Sequence, residues 1–215
     1  MNIAPYVDHT ALKPDTSAED VERLCQEAVE HGFASVCINP VFVKQTSELL
    51  AGSAVVPCTV TGFPLGASET SVKIFETEKA LEAGAREIDT VINISAAIAG
   101  DWKFIHKEIS GISCSCRKSG ALLKVILETC LLNRSQIIRV CQTVVEAGAD
   151  FVKTSTGFSK AGADPETVAL MRETVGNETG VKASGGIRSF DDAVRMIEAG
   201  ASRLGSSSGI RLLKP

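Results

Sequence analysis

Length, composition and charge limit what this chain can do. It has 215 residues, of which 44% are hydrophobic and 22% charged, and its net charge is −4. These values are ordinary for a globular protein, so we expect one compact domain over residues 1–215. An acidic chain offers no general basic surface for nucleic acid, so any phosphate must be bound locally. No apolar run is long enough to cross a membrane and residues 1–6 do not resemble a signal peptide, so we expect no membrane partner and a cytoplasmic protein.

The cysteines and histidines do not form a metal-binding pattern. Seven cysteines are present, an odd number, without a C-x-x-C pair, and the three histidines are scattered. This arrangement favours reduced, mostly buried thiols over disulfides or a zinc site. We therefore expect no metal and no cofactor.

Short apolar runs alternate with amphipathic segments along the whole chain. Eight runs are typical of buried strands. In chain order they cover residues 6–9, 35–39, 54–61, 87–93, 122–128, 150–153, 181–184 and 202–205. Polar starts followed by apolar residues at three- and four-residue spacing predict helices between them. The predicted helices cover residues 17–31, 68–83, 101–118, 133–147, 165–175 and 189–199.

An internal repeat indicates how these elements are arranged. Glu-Ala-Gly-Ala ends a helical segment and precedes a strand three times, and Glu-His-Gly-Phe is a degenerate copy, with glycines at 32, 84, 148 and 200. Each glycine supplies the left-handed residue that terminates a helix. The glycines lie 52 or 64 residues apart, about two strand-helix units, which predicts an α/β protein with a single-domain (β/α)8 TIM barrel. The alternative is a doubly wound open sheet, but no G-x-G-x-x-G opens the first helix.

Polar and charged side chains collect where the predicted strands end. The strand ends carry Asp8, Cys37, Asn39, Asp89, Asn93, Lys153 and Lys182. In a barrel these ends converge on one face, which is where active sites form. Period-two alternation places Asp89 and Asn93 on the inner side of their strand, while Ile88 and Ile92 face the helices. We expect Asp8 and Cys37 to line the substrate site.

Two of these residues are lysines on consecutive strands, which indicates amine chemistry. A lysine in apolar surroundings with a second cation nearby loses its proton more easily, and a neutral amine is the nucleophile that forms a Schiff base. Lys153 and Lys182 each precede a loop of small residues. Lys124, on the fifth strand, is a rival amine that we interpret as structural because no such loop follows it.

The loops after the last three strands are rich in glycine, serine and threonine. The two at 184–187 and 205–209, after the seventh and eighth strands, resemble the cradle of backbone N–H groups that holds phosphate. The predicted substrate-binding residues in the loops after all three strands are Thr156, Gly157, Gly185, Gly186, Gly205, Ser207 and Ser208.

Six motifs, in order and over nearly the whole chain, resemble those of the deoxyribose-phosphate aldolase family. They are VDHTALKP at 7–14, EIDTVIN at 87–93, LKVILET at 123–129, FVKTSTGF at 151–158, VKASGGIR at 181–188 and GSSSG at 205–209. The resemblance implies a metal-free class I aldolase that interconverts 2-deoxy-D-ribose 5-phosphate with D-glyceraldehyde 3-phosphate and acetaldehyde. It implies that Lys153 forms the Schiff base and that Asp89 and Lys182 transfer protons.

The chain departs from the family pattern in its loops, and two other functions stay open. Ser189, Ser206 and the pair Ser159-Lys160 differ from the residues that the family often has, which bears on phosphate affinity more than on reaction type. A phosphosugar isomerase or epimerase would use the same loops with carboxylate or metal chemistry. A non-catalytic phosphosugar-binding barrel would use the lysines only as counter-ions. The partners expected in each case are small phosphorylated sugars or aldehydes, and a second copy of the chain in a homo-oligomer.

Overall fold

Eight parallel strands close into a barrel in the computed structural model, which describes residues 1–213. The strands are β1 (Val7–Ala11), β2 (Ser35–Ile38), β3 (Val56–Thr61), β4 (Glu87–Val91), β5 (Leu122–Ile126), β6 (Phe151–Lys153), β7 (Gly180–Ser184) and β8 (Arg203–Ser206). Each strand pairs with the next one along the chain, and β8 pairs with β1. The predicted (β/α)8 barrel is therefore confirmed, and every predicted strand is present.

Eight α-helices surround this barrel in the described part of the chain. They are α1 (Ala18–His31), α2 (Val43–Leu49), α3 (Thr70–Glu82), α4 (Ile94–Ala99), α5 (Trp102–Lys118), α6 (Arg134–Glu146), α7 (Pro165–Val175) and α8 (Phe190–Glu198). The six predicted helices match α1, α3 and α5 to α8, whereas α2 and α4 were not predicted because each is too short for a clear apolar period. None of these helices is long and apolar enough to cross a membrane.

Helix α4 corrects one expectation about the site. Strand β4 ends at Val91, two residues earlier than predicted, and Asn93 is the N-cap of α4. The Asn93 side chain accepts a hydrogen bond from Ala96 N at 2.9 Å. Asparagine is a favoured N-cap residue because its side-chain oxygen pairs with an N–H that the first helical turn leaves free. Asn93 therefore caps a helix and does not continue the inward-facing row of β4.

The repeat glycines do adopt the left-handed backbone that was predicted. Gly32 is the C-cap of α1, with φ +67°, and its N–H bonds to Ala28 O. In the other three copies the C-cap is the alanine, and the glycine follows one residue later with φ between +92° and +110°. A residue without Cβ tolerates this conformation, so the chain turns from each helix into the next strand.

The barrel interior differs in chemistry from the layer around it. The side chains between strands and helices are apolar and fully buried, such as Ile88, Leu123 and Val181. Alternate residues of the same strands point inward, and many of these are charged and fully buried. The register places Lys153 beside Lys182, and Asp89 beside Lys124. Strand pairing therefore sets which charges meet inside the barrel.

Candidate active site

A cluster of charged side chains fills the inside of the barrel. Its members are Asp8, Glu87, Asp89, Lys124, Lys153, Lys182 and Arg203, which we call the interior charge cluster. Three are carboxylates and four are cations. A buried charge is tolerated only when it is paired and hydrogen-bonded, so each member depends on its neighbours.

Asp89 forms hydrogen bonds with all three lysines of the cluster. One oxygen, Oδ2, accepts from Lys153 Nζ at 2.6 Å and from Lys182 Nζ at 2.7 Å. The other, Oδ1, accepts from Lys124 Nζ at 2.7 Å and from the Cys58 thiol at 3.3 Å. Burial alone would raise the pKa of Asp89, but the three ammonium groups outweigh burial and hold it well below its usual range. Asp89 is therefore a carboxylate at neutral pH.

Lys182 lies between two carboxylates. Its Nζ bonds to Asp89 Oδ2 and forms an ion pair with Asp8 Oδ2. Burial would lower the pKa of Lys182, but Asp8 and Asp89 raise it above its usual range. Asp8, predicted to line the substrate site, is completely buried and also accepts from Arg203 Nη1 at 2.7 Å. Its carboxylate thus forms ion pairs with Lys182, Arg203 and Lys124.

Lys124, the rival amine that the sequence analysis interpreted as structural, belongs to the cluster. Its Nζ lies 2.7 Å from Glu87 Oε2, 2.7 Å from Asp89 Oδ1 and 3.8 Å from Asp8 Oδ2. Burial would lower the pKa of Lys124, but these carboxylates raise it well above its usual range. Its interpretation as a structural lysine stays a prediction. Strand alternation and register place it at an inward position opposite Asp89.

Lys153 is the least paired cation of the cluster. It forms one ion pair, with Asp89, whereas Lys182 forms two and Lys124 three. It is the last residue of β6, and 3% of it is exposed. The cluster thus has four cations against three carboxylates, and Lys153 is the cation held by the fewest ion pairs.

The two thiols of the interior lie beside Asp89. Cys37 and Cys58 are opposite each other on β2 and β3, and both are fully buried. A hydrogen bond with Cys58 lowers the pKa of Cys37, while burial raises that of Cys58. Cys37 is therefore a buried thiol close to Asp89, and its place in the substrate site stays a prediction.

Donor atoms for a metal ion come together at the same place. Ligand atoms of Cys37, Cys58 and Asp89 lie within 4.8 Å of one another, as do those of Asp8, Cys58 and Glu87. All three carboxylates already form ion pairs with lysine or arginine. A divalent cation would have to compete with those ammonium and guanidinium groups for each oxygen.

The loops after β6, β7 and β8 are in contact with one another. A Cβ at Gly185 would lie 2.9 Å from Gly162 Cα and 3.6 Å from Gly157 Cα, so the two backbones approach as only glycine allows. Ser206 Oγ donates to Ile187 O at 2.8 Å and joins β8 to the loop after β7. The predicted phosphate loops therefore converge on one face of the barrel.

The predicted anion-binding residues within these loops differ in exposure. Gly186 has open space around its Cα, and Ser207 is exposed. Gly205 is buried, and a Cβ there would lie 3.2 Å from Lys182 Cε, so this glycine makes room for the lysine stem. Ser208 N donates to Ser206 Oγ at 3.0 Å. The phosphate-binding role of these residues stays a prediction.

Thr156 is held by a residue that the sequence interpretation did not consider. Glu128 has a left-handed backbone, with φ +54°, and its Oε2 accepts from Thr156 Oγ1 at 2.5 Å. The Thr156 hydroxyl also accepts from Phe158 N at 3.0 Å. The hydroxyl hydrogen of Thr156 is thus already donated to Glu128. This contact fixes the loop that follows Lys153.

A closed barrel of eight parallel strands with a lysine at the end of one strand, paired with a buried carboxylate, has the architecture of the (β/α)8 enzymes, whose active sites lie at the strand ends. The chain belongs to the DeoC/LacD family of aldolases, whose model matches residues 3–214. The predicted family and its lyase class are therefore confirmed.

Deoxyribose-phosphate aldolases from other organisms match the chain over nearly its full length. The chain is 54% identical to a deoxyribose-phosphate aldolase of Brevibacillus brevis over 213 residues, 99% of this chain and 96% of the relative. A second relative with that name, from Listeria welshimeri, is 53% identical and covers 99% and 95%. A solved tetrameric deoxyribose phosphate aldolase from Aeropyrum pernix is 40% identical, with a TM-score of 0.93, covering 98% of this chain and 89% of that one.

Proposed function

We propose that this protein is a class I deoxyribose-phosphate aldolase in which Lys153 forms the Schiff base. It interconverts 2-deoxy-D-ribose 5-phosphate with D-glyceraldehyde 3-phosphate and acetaldehyde. The observation that carries the proposal is that Lys153 is a buried strand-end amine with one ion pair, in a cluster that has one cation more than it has carboxylates. Membership of an aldolase family favours this reaction over an isomerase or a non-catalytic binding barrel.

The covalent steps follow from the chemistry of a neutral amine. In the synthetic direction the Lys153 nitrogen attacks the carbonyl carbon of acetaldehyde, and loss of water leaves a protonated imine. The imine withdraws electrons, so the methyl carbon loses a proton and an enamine forms. The enamine carbon then attacks the aldehyde carbon of glyceraldehyde phosphate, and water hydrolyses the new imine. Cleavage runs through the same steps backwards.

Asp89 and Lys182 are the proposed proton-transfer residues. Lys153 and Lys182 share the Oδ2 atom of Asp89, so a proton can pass between the two amines through one carboxylate oxygen. Asp89 also holds Lys153 in a fixed position, which favours attack because the amine is oriented before the aldehyde arrives. The proposed chemistry needs no metal, since the protonated imine itself accepts the electrons released when the carbon–carbon or carbon–hydrogen bond breaks.

The decisive test is reductive trapping. The protein is incubated with acetaldehyde and sodium borohydride, and its mass and peptides are then measured. An imine-forming enzyme gains an ethyl group irreversibly at Lys153, while an isomerase or a binding barrel gains none at this residue. An intact, folded protein that stays unlabelled would contradict the proposal.

Phosphate binding by the converging loops gives a second test. Ser207→Asp places a negative charge in the loop after β8, so the KM for the phosphorylated sugar should rise at least about tenfold, and far more than that for unphosphorylated deoxyribose. Ser119→Asp, at the exposed C-cap of α5, is the matched control and should change neither value. Equal increases in KM for both sugars in the Ser207→Asp variant would show that the phosphate binds elsewhere.

Self-association and a cytoplasmic location complete the proposal. The Aeropyrum pernix relative is described as tetrameric. On this chain Val72 and Phe75 are large apolar side chains exposed on α3, a surface that a second copy could cover. All seven cysteines are free thiols, which suits a reducing compartment.

A further inference from the structure

Arg203 and Glu87 form an ion pair at the end of the barrel opposite the phosphate loops. Each is the first residue of its strand, whereas Lys153 is the last residue of β6. Arg203 Nη1 lies 3.0 Å from Glu87 Oε2, and Nη2 lies 3.1 Å from Oε1. The guanidinium also lies over the ring of Phe151, with its carbon 5.5 Å from the ring centroid. This pair is therefore well held, although it is remote from the loops where substrate enters.

Two series of ion pairs connect Arg203 to the proposed nucleophile. One runs through Glu87 and Lys124 to Asp89, with 2.7 Å between the charged atoms of each of the last two pairs. The other runs through Asp8 and Lys182 to the same aspartate. Both end at Asp89, which pairs with Lys153 at 2.6 Å. A change of charge at Arg203 or Glu87 therefore affects the ion pairs that connect these residues to Lys153.

We infer that Glu87 and Arg203 are positioning residues that set the net charge of the barrel interior and thereby decide how readily Lys153 becomes the neutral amine. The inference rests on the proposed function, because it concerns the nucleophile of that reaction. Four cations face three carboxylates, so the interior carries one positive charge until Lys153 gives up its proton. Removing one carboxylate increases the excess positive charge, which favours loss of the Lys153 proton. Removing one cation abolishes the excess positive charge.

The titratable groups around Lys153 come from all the other strands. They are Asp8 on β1, Cys37 on β2, Cys58 on β3, Glu87 and Asp89 on β4, Lys124 on β5, Lys182 on β7 and Arg203 on β8. Burial raises the pKa of Cys58, so this thiol stays protonated, and a hydrogen bond with Cys58 lowers that of Cys37. Ionisation of Cys37 would also alter the charge count, and Cys37→Ser removes this thiol.

Two single variants with opposite changes of charge test the inference. The pH dependence of trapping by acetaldehyde and sodium cyanoborohydride is measured for Glu87→Gln and Arg203→Gln. We expect the pH of half-maximal trapping to fall by about one unit in Glu87→Gln and to rise by about one unit in Arg203→Gln, because the charges act on Lys153 beyond direct contact. The double variant restores the original net charge and should return to within a few tenths of the wild-type pH. Both shifts should persist in a Cys37→Ser background.

A role limited to packing would not produce shifts of opposite sign. Trapping that slows in both variants without a shift, or with shifts in the same direction, would overturn the inference. Glu87→Asp and Arg203→Lys are controls that keep both charges and test whether a change of side chain alone disturbs the fold. Their pH of half-maximal trapping should equal that of the wild type. A shift in either control would also contradict the inference. Wild-type protein that is never trapped would instead remove the proposed function itself.

Discussion

Lys153→Ala should abolish turnover and reductive labelling together, with turnover falling by at least about 10⁴-fold. The variant removes the amine that forms the imine, and water cannot replace it in that role. The fold should survive, because the change removes one cation from a cluster with a surplus and leaves Asp89 paired with Lys124 and Lys182. Turnover is measured with deoxyribose 5-phosphate and labelling by peptide mass mapping.

Lys160→Ala is the matched control for this variant. Lys160 is an exposed lysine on the loop that follows β6, so its loss should leave labelling unchanged. Lys124 is the rival amine, and label found on the Lys124 peptide of wild-type protein would show that the wrong strand was chosen. Its three carboxylate neighbours keep Lys124 protonated, which is why we expect none there.

Lys182→Leu and Asp89→Asn should separate two roles within the cluster. Lys182→Leu keeps the nucleophile but removes one cation, so Lys153 becomes necessary to balance the carboxylates and holds its proton more firmly. We expect turnover at neutral pH to fall about 10²- to 10³-fold and the residual rate to climb toward alkaline pH. Covalent trapping should continue, slowly.

Asp89→Asn should behave differently, because it removes the common partner of three lysines. Imine formation should persist while the later proton transfers slow, so the trapped fraction falls less than turnover. Loss of a buried carboxylate that pairs with several cations costs about 3–5 kcal/mol of folding stability, so trapping is compared at a temperature where the variant is folded.

The contrast between these variants decides the role of Lys182. A Lys182→Leu enzyme with an unchanged pH–rate profile, or with label on a residue other than Lys153, would leave Lys182 as a counter-ion only. The same measurements on Asp89→Asn provide the reference, since that variant retains both amines. Comparable loss of trapping and turnover in Asp89→Asn would place Asp89 in imine formation instead.

The fold could be predicted from local signals because its units repeat. Each strand is a short apolar run, and most helices begin with a polar cap and end near a glycine with positive φ. The helices α2 and α4, with seven and six residues, escaped prediction because they are shorter than two helical turns. Asn93 was misplaced for the same reason, since the capped helix begins where an extended strand was expected.

The candidate site could be predicted only in part. Lys153, Lys182, Asp89, Asp8 and Cys37 were chosen as polar side chains near strand ends, and the structure brings all five into the barrel interior. The strand-end criterion by itself did not select the inward residues at earlier positions of the strands. Glu87 and Arg203 were left out on that account, and Lys124 was interpreted as structural because no phosphate loop follows β5. Strand alternation and register place all three in the same space.

The sequence by itself determined the barrel, the family and the two lysines on consecutive strands, because strand length, helix caps and repeat spacing are properties of neighbouring residues. Only the tertiary structure decided which charges pair. Asp89 meets Lys124, Lys153 and Lys182 across 35, 64 and 93 residues of chain. Closure of the barrel brings the inward side chains of eight strands into one buried space, and so decides that Lys153 has one carboxylate partner while the other cations have two or three. In such a space the energy of each charge depends on all the others.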